Sequence, residues 1–525
     1  MAILNLTTVL LVLGIAVFLG FRWAVKQAQI DPREPPLISA RIPFIGHLIG
    51  ILWYGPKYYQ IINTREYPIY TLPTLTTRNY IVSSPTLVSL VQRNTKSLSF
   101  YSVIVEVTRR MCAFDEDASK IIFYNMNKEH GPDNSLMTVV HDMMNKNLAP
   151  GPKLNELTLV QLQQMSLMLN NVGIEGAVSS NLYTWIQHVF TVCNSFAIYG
   201  AENIFAVHPE LEKDFWDFEE GMLALVIDIY PWITARKAYL ARKRVFNALT
   251  EYVKKERYKQ ASALIQERIA INRSFGLSCE MIGRGELVLY FGILGNAVPT
   301  AFWLLSNIYS RPQLLQQIRD ELEDALRLNP QMIPPKVTVP EHIVKACPLL
   351  FSCYRETLRD VSNASSPRLV LSDTMLDKYL LKAGSIVQLQ GGIMHQDKKV
   401  WGADAASWNP YRFIISDNTS DIGDPDDFKR VAAALPKGVP PSAFRSFGGG
   451  STLCPGRHFA QSEIMTFIAS MVLAFDLQAP CGATLKMPQK NDSSTRLALM
   501  MPVTQPQVVM KRRIGWETKQ LEMTL

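Results

Sequence analysis

Apolar positions recur with helical spacing along most of the chain. This periodicity predicts helices over 153–169, 211–227, 235–271, 286–309 and 312–328, and over the stretch that follows Pro455. Short runs rich in β-branched and aromatic residues predict strands at 69–72, 80–82, 369–371 and 386–389. Long amphipathic helices with a few short strands imply a fold that is mainly α with small β-sheets, an α+β arrangement. No internal repeat, low-complexity tract or second linker divides 46–525, so this stretch reads as one catalytic domain.

The amino terminus has a different pattern. No charged residue occurs from Ala2 to Phe21, and about 20 mostly apolar residues suffice to cross a hydrocarbon core as a helix. Lys and Arg are absent before this run, whereas Arg22, Lys26, Arg33 and Arg41 follow it, which places the remainder on the cytosolic side. A cleavable signal peptide would have a basic start and a small-residue cleavage site, but this run leads straight into Arg22-Trp23. Residues 1–30 are therefore expected to form a transmembrane anchor. The prolines of Asp31-Pro32-Arg33-Glu34-Pro35-Pro36 cannot continue a helix and predict a stiff spacer over 31–45.

Composition narrows the function classes. Hydrophobic residues make up 48% of the 525 and charged residues 19%, a balance that disfavours extensive disorder and suits a globular enzyme. The 53 Lys and Arg are spread without dense runs, so a formal charge of +7 predicts no nucleic-acid partner. A basic face would still attract an acidic protein or anionic lipid. Cysteines at 112, 193, 279, 347, 353, 454 and 481 are scattered and lack any CxxC pair, which argues against a disulfide framework and a structural zinc site. All but Cys454 are expected to be ordinary small core residues.

Cys454 differs because of its neighbours. Phe447-Gly448-Gly449-Gly450-Ser451-Thr452-Leu453-Cys454-Pro455-Gly456-Arg457 satisfies F-x-x-G-x-x-x-C-x-G. Glycines let a tight loop approach a flat cofactor, and backbone N–H groups near a sulfur can donate to a thiolate. This segment resembles the heme-binding loop of the cytochrome P450 superfamily. The resemblance implies the P450 fold and a heme b whose iron takes Cys454 as axial ligand, with Phe447, Gly450 and Gly456 shaping the cofactor site. A thiolate ligand donates electron density to iron and favours O–O cleavage.

Further motifs follow the family's order. Glu356-Thr357-Leu358-Arg359 matches E-x-x-R, with i,i+3 spacing on one helical face, and Pro410-Tyr411-Arg412-Phe413 resembles P-x-R-F. The resemblance makes Glu356, Arg359 and Arg412 a buried ion network that braces the heme-binding core. His395 falls in the segment between these motifs and is not expected to be a ligand. Relatives carry an Arg two residues before the cysteine, paired with a heme propionate, but Thr452 stands there. Arg368, nine positions beyond Arg359, is the expected substitute.

The long distal helix also departs from the usual pattern. Asn296 and Ala297 occupy positions where many P450 monooxygenases have an acid followed by Thr. Pro299 lacks an N–H and leaves the Gly295 carbonyl without its helical partner. A water held by that carbonyl, the Asn296 amide and the Thr300 hydroxyl would then relay protons, so Asn296 and Thr300 are the expected catalytic residues. By resemblance, substrate-pocket residues are expected in 100–107, 291–300, 362–367 and 493–499.

Gly295 to Trp303 and Phe447 to Ala460 look most like the branch with sterol 7α-hydroxylases, sterol 12α-hydroxylases and prostacyclin synthase, with a fungal secondary-metabolism member among the possibilities. The resemblance implies a monooxygenase that acts on a lipophilic sterol, terpenoid or other secondary metabolite. NADPH would supply electrons through NADPH–cytochrome P450 reductase, with cytochrome b5 as a further partner. The implied location is the endoplasmic reticulum membrane, single-pass, with a cytosolic catalytic domain. The alternative is a P450-fold isomerase or dehydratase that rearranges a peroxide without a reductase.

Overall fold

The computed structural model describes residues 14, 15, 18, 30–40, 46–73, 77–127, 135–328, 334–363, 365–414, 435–491 and 499–525. Its longer helices, labelled in chain order, are α1 (Tyr101–Cys112), α2 (Leu136–Leu148), α3 (Pro152–Asn170), α4 (Leu182–Tyr199), α5 (Leu211–Ile227), α6 (Arg236–Lys254), α7 (Ala263–Ser274), α8 (Cys279–Tyr309), α9 (Pro312–Ala325), α10 (Pro348–Val361) and α11 (Arg457–Ala474). The strands are β1 (Ile69–Pro73), β2 (Arg78–Val82), β3 (Leu98–Ser99), β4 (Val178–Asn181), β5 (Lys336–Pro340), β6 (Ser365–Val370), β7 (Thr374–Leu376), β8 (Tyr379–Leu381), β9 (Ile386–Gln390), β10 (Phe475–Gln478), β11 (Gln507–Arg512) and β12 (Gln520–Thr524).

The helical mass surrounds α8. The Ser278 hydroxyl caps its start by accepting the Met281 N–H at 3.3 Å. Every residue from Ala297 to Tyr309 is buried, because α4, α10 and α11 pack against this helix as α6 packs against its earlier turns. A helix enclosed on all sides needs apolar residues all round, which α8 has. Two of its polar side chains tie it to its surroundings: Trp303 donates to the Met500 carbonyl at 2.7 Å, and the Tyr309 hydroxyl reaches the carbonyls of Met471 and Phe475. Gly283 permits close approach of α6, since a Cβ there would lie 2.7 Å from the Thr250 nitrogen.

A five-stranded sheet in the order β1-β2-β9-β6-β3 forms a separate layer. Only the β2–β9 pair in it is parallel, with Asn79 opposite Ile386. β10, β11 and β4 form a second, antiparallel sheet, while β12 pairs in parallel with β5 near the carboxyl end. The Pro-rich stretch expected as a spacer is held against the first sheet. Thr71 donates through its N–H to the Pro36 carbonyl and through its hydroxyl to the Pro35 carbonyl, each at 2.8 Å, and the Tyr80 hydroxyl reaches buried Glu34 at 2.7 Å.

The predicted helix over 211–227 coincides with α5, and 153–169 lies inside α3. The predicted helix over 286–309 starts earlier, at Cys279, and the one over 312–328 stops at Ala325. The long helix expected over 235–271 is instead two helices, α6 and α7, separated by a 3-10 turn at Arg257–Gln260. Glu256 takes a left-handed φ of 55°, and Ser262 donates both its N–H and its hydroxyl to the Ile198 carbonyl. The end of α4 therefore captures the backbone here and overrides a continuous apolar period. Cys112, Cys193, Cys347 and Cys353 are buried as expected, but Cys279 is half-buried and Cys481 exposed.

One described helix, α8, is long and apolar enough to cross a membrane, yet 67% of its apolar window is buried inside the protein, as befits a core helix. The expected anchor over 1–30 lies outside the described residues except for Gly14, Ile15, Phe18 and Ile30.

Candidate active site

The loop before α11 turns tightly enough to present Cys454 to the interior. Gly448 and Gly450 have φ of 78° and 62°, which an L side chain rarely adopts. A Cβ at Gly449 would lie 2.4 Å from the Gln92 amide nitrogen, so the Gln92 side chain would have to move to admit one. The Cys454 N–H closes the loop on the Phe447 carbonyl at 2.9 Å. Burial pushes the Cys454 thiol up, while the backbone N–H groups of Gly456 and Arg457 and the Arg457 charge pull it partly back. Those two amides lie where α11 begins and favour a negative sulfur.

Cys454 lines a cavity of about 410 Å³ between this loop and α8. Phe447 and Gly456 share its wall with the cysteine, and α8 contributes Gly292, Ile293, Asn296, Ala297 and Thr300 opposite. The helix runs unbroken through Pro299. The Thr300 hydroxyl donates to the Asn296 carbonyl at 2.7 Å, one residue beyond the Gly295 carbonyl that Pro299 deprives of a donor. Of the expected pocket segments, these five α8 residues of 291–300 and Leu499 line this cavity. Among the described residues, 100–107 and 362–367 do not contribute to it.

Glu356, Arg359 and Arg412 meet in the interior. Arg359 forms a two-pronged pair with Glu356 at 2.8 and 2.7 Å, and Arg412 reaches the same carboxylate at 3.0 Å. Both Glu356 and Arg359 side chains are fully buried. The remaining guanidinium N–H groups of Arg359 go to the carbonyls of His395, Ala405 and Ser407. Asp404, to which the sequence assigned no role, completes the group with a 2.9 Å pair to Arg412. His395 is buried, with Nδ1 at 3.2 Å from the Ser362 carbonyl and Nε2 accepting the Arg445 N–H at 2.9 Å. Burial and the nearby Arg359 push His395 down to about 3, so it is neutral.

Arg368 reaches the cysteine loop from β6. It donates to the Thr452 hydroxyl at 3.0 Å, and its guanidinium lies 4.6 Å over the Phe100 ring. Arg445, two residues before Phe447, is equally buried, and sequence reasoning missed it. Among the described residues, neither terminal nitrogen of Arg445 has a hydrogen-bond partner. Burial lowers both guanidinium groups to about 10, with Arg445 adding to the shift of Arg368.

This cysteine loop and buried ion network lie within residues 35–509, which match the cytochrome P450 family model. The chain is a cytochrome P450. It is 29% identical over 517 residues to the cytochrome P450 monooxygenase nodJ of Hypoxylon pulicicidum, covering 97% of this chain and 95% of that one. It is also 29% identical over 511 residues to a cytochrome P450 monooxygenase of Gibberella zeae, covering 94% and 92%. The human 7-alpha-hydroxycholest-4-en-3-one 12-alpha-hydroxylase is 23% identical over 477 residues, covering 86% and 87%. The relatives thus include fungal P450 monooxygenases and sterol hydroxylases, the branch its motifs resemble, and this P450 is an oxidoreductase.

The P450 family implies a heme iron, and the residues present fit that group. A cysteine lines the cavity, the glycine turn beside it takes left-handed φ at Gly448 and Gly450, and two buried guanidinium groups pair with no carboxylate among the described residues.

Glu463 of α11 also lines the cavity, fully enclosed, with Gln161 donating to it at 3.5 Å. Burial pushes its carboxyl up to about 8. The folded protein therefore holds this proton more tightly than the unfolded chain, and the linked stability is lost as pH rises from the ordinary carboxyl value of 4.5 through about 8. Glu463→Gln should flatten that decline, measured as denaturant midpoint against pH. An unchanged slope would show that Glu463 ionises freely in the native state.

Proposed function

We propose that this P450 inserts one oxygen atom from O2 into a lipophilic substrate such as a sterol, terpenoid or other secondary metabolite. Electrons come from NADPH by way of a P450 reductase, with cytochrome b5 as an auxiliary donor. The observation that carries this reading is the Cys454 sulfur at the wall of a largely apolar cavity that includes Leu148, Leu157, Ile293, Phe459 and Leu499. Cys454 would hold a heme there, and that heme would supply the oxidising iron. The name of the sterol-hydroxylating relative supports the lipophilic class.

The protein's own residues then divide the work. Phe447, Gly450 and Gly456 shape the loop that holds the cysteine, and the Glu356–Arg359–Arg412 network fixes the segments behind it. Thr300 Oγ1 holds a proton at the α8 wall, shared with the Asn296 carbonyl, and its lone pairs remain able to receive one from water. Residues 1–30 anchor the enzyme in the endoplasmic reticulum membrane, with the catalytic domain in the cytosol. Exposed Leu48, Leu52 and Trp53, close after the described Pro-rich stretch, provide further apolar contact.

Purified enzyme reduced under carbon monoxide should show the red-shifted Soret band of a thiolate-ligated heme, and Cys454→Ala should abolish it. Persistence of that band in the variant would refute the ligand assignment. Thr300→Val preserves volume but removes the hydroxyl, so heme content and substrate affinity should hold while product formation falls roughly 10²-fold and NADPH is consumed without product. Unchanged coupling would reject a proton role for Thr300, and turnover without NADPH or O2 would favour peroxide rearrangement. Deleting residues 1–30 should move much of the enzyme from the membrane pellet to the supernatant with heme retained; complete retention in the pellet would assign membrane binding elsewhere.

A further inference from the structure

We propose that Arg445 binds a heme propionate, taking over the task of the arginine that Thr452 replaces. The inference rests on the heme-thiolate reading and concerns which side chain neutralises the cofactor's acidic edge. The first support is burial without compensation. Arg445 is 2% exposed and both its terminal nitrogens are unpartnered among the described residues. A guanidinium is rarely taken out of water without an anion, because desolvation costs several kcal/mol unless a partner repays it.

Position supplies the second support. The Arg445 N–H is fixed on His395, whose carbonyl accepts from Arg359, so the root of the side chain is anchored to the buried ion network. Its Nη1 lies 3.4 Å from where a Gly449 Cβ would stand, which places the guanidinium against the Gly449–Thr452 turn. Arg368 arrives at the same turn and holds Thr452 Oγ1. Ser446 and Phe447, the next residues after Arg445, line the cavity. Two guanidinium groups thus converge beside the cofactor cavity, near enough for the charge of Arg445 to oppose that of Arg368, and among the described residues neither terminal nitrogen of Arg445 has a partner.

Charge and shape supply the third support. A heme edge carries two carboxylates, and a planar guanidinium can meet a carboxylate with two parallel N–H donors. A purely structural arginine would hold neighbouring carbonyls or acids, as Arg359 does. Among the described residues, neither terminal nitrogen of Arg445 holds a carbonyl or an acid. The assignment also explains how Thr452 can be tolerated two residues before the cysteine: it passes its side chain to Arg368 as an acceptor, and the second cation enters from the loop's other end.

The test uses the purified holoenzyme and measures heme transfer to excess apomyoglobin together with the propionate bending modes in resonance Raman spectra. Arg445→Met should release heme roughly 10–100-fold faster and shift a propionate mode, the effect of losing one charge-assisted pair. Adding Thr452→Arg to that variant should slow release again by restoring a guanidinium at the family's usual position. Wild-type release and an unshifted mode in Arg445→Met would overturn the proposal, as would a lower melting temperature with both unchanged. Should Arg445→Met fail to accumulate, Arg445→Lys decides the matter: it keeps charge but loses the planar fork, so an unshifted propionate mode overturns the proposal. A wild-type enzyme without the thiolate–carbonyl band would instead refute the underlying heme-thiolate reading.

Discussion

The structure depends on a carboxylate that cannot be left alone. Glu356 is fully buried, and removing one partner from such a buried pair typically costs ~3–5 kcal/mol, a large part of a domain's net stability. The requirement to neutralise it draws separate parts of the chain to one helix. Arg359 comes from the same helix, Arg412 from a loop 56 residues on, and the carbonyls of His395, Ala405 and Ser407 take the remaining donors. From His395 the order passes directly to the cysteine loop, through the Arg445 N–H. The cofactor loop is thus held by a continuous chain of polar contacts that starts at one glutamate.

Much of this was legible as motifs. The E-x-x-R spacing forces Glu356 and Arg359 onto one helical face, and the glycines before Cys454 announce a tight turn, which takes left-handed φ at Gly448 and Gly450. Asp404 was visible as a residue but not as a partner, because its pairing with Arg412 depends on how the intervening loop folds back. Arg445 was harder still: nothing in a linear pattern distinguishes a buried, unpartnered arginine from a solvated one. Its one available signal was its place two residues before Phe447 in a chain that lacks the usual arginine beside the cysteine.

Helices were read well where the local pattern was the only influence, and poorly where tertiary contacts competed. α5 ends where its period ends. The break between α6 and α7 falls inside the predicted helix, and contacts that fix it lie far away in sequence, at the Ile198 carbonyl and at Gly200, where a Cβ would lie 2.7 Å from the Gln260 carbonyl oxygen. The same limit applied to α8. Pro299 removes the donor for the Gly295 carbonyl, but the helix, buried from Ala297 to Tyr309, runs on through it.

The docking of the Pro-rich stretch on β1 bears on mechanics. Because Pro35 and Pro36 are tied to Thr71 and Glu34 is tied to Tyr80, the leash between the catalytic body and whatever precedes it ends at a fixed point on the sheet rather than at the first helix. A force applied to the amino-terminal segment is therefore delivered to β1 and β2. Through the parallel β2–β9 pair it reaches the layer that carries Arg368 on β6, so tension on the tether bears on the side of the cofactor cavity and not on a free coil.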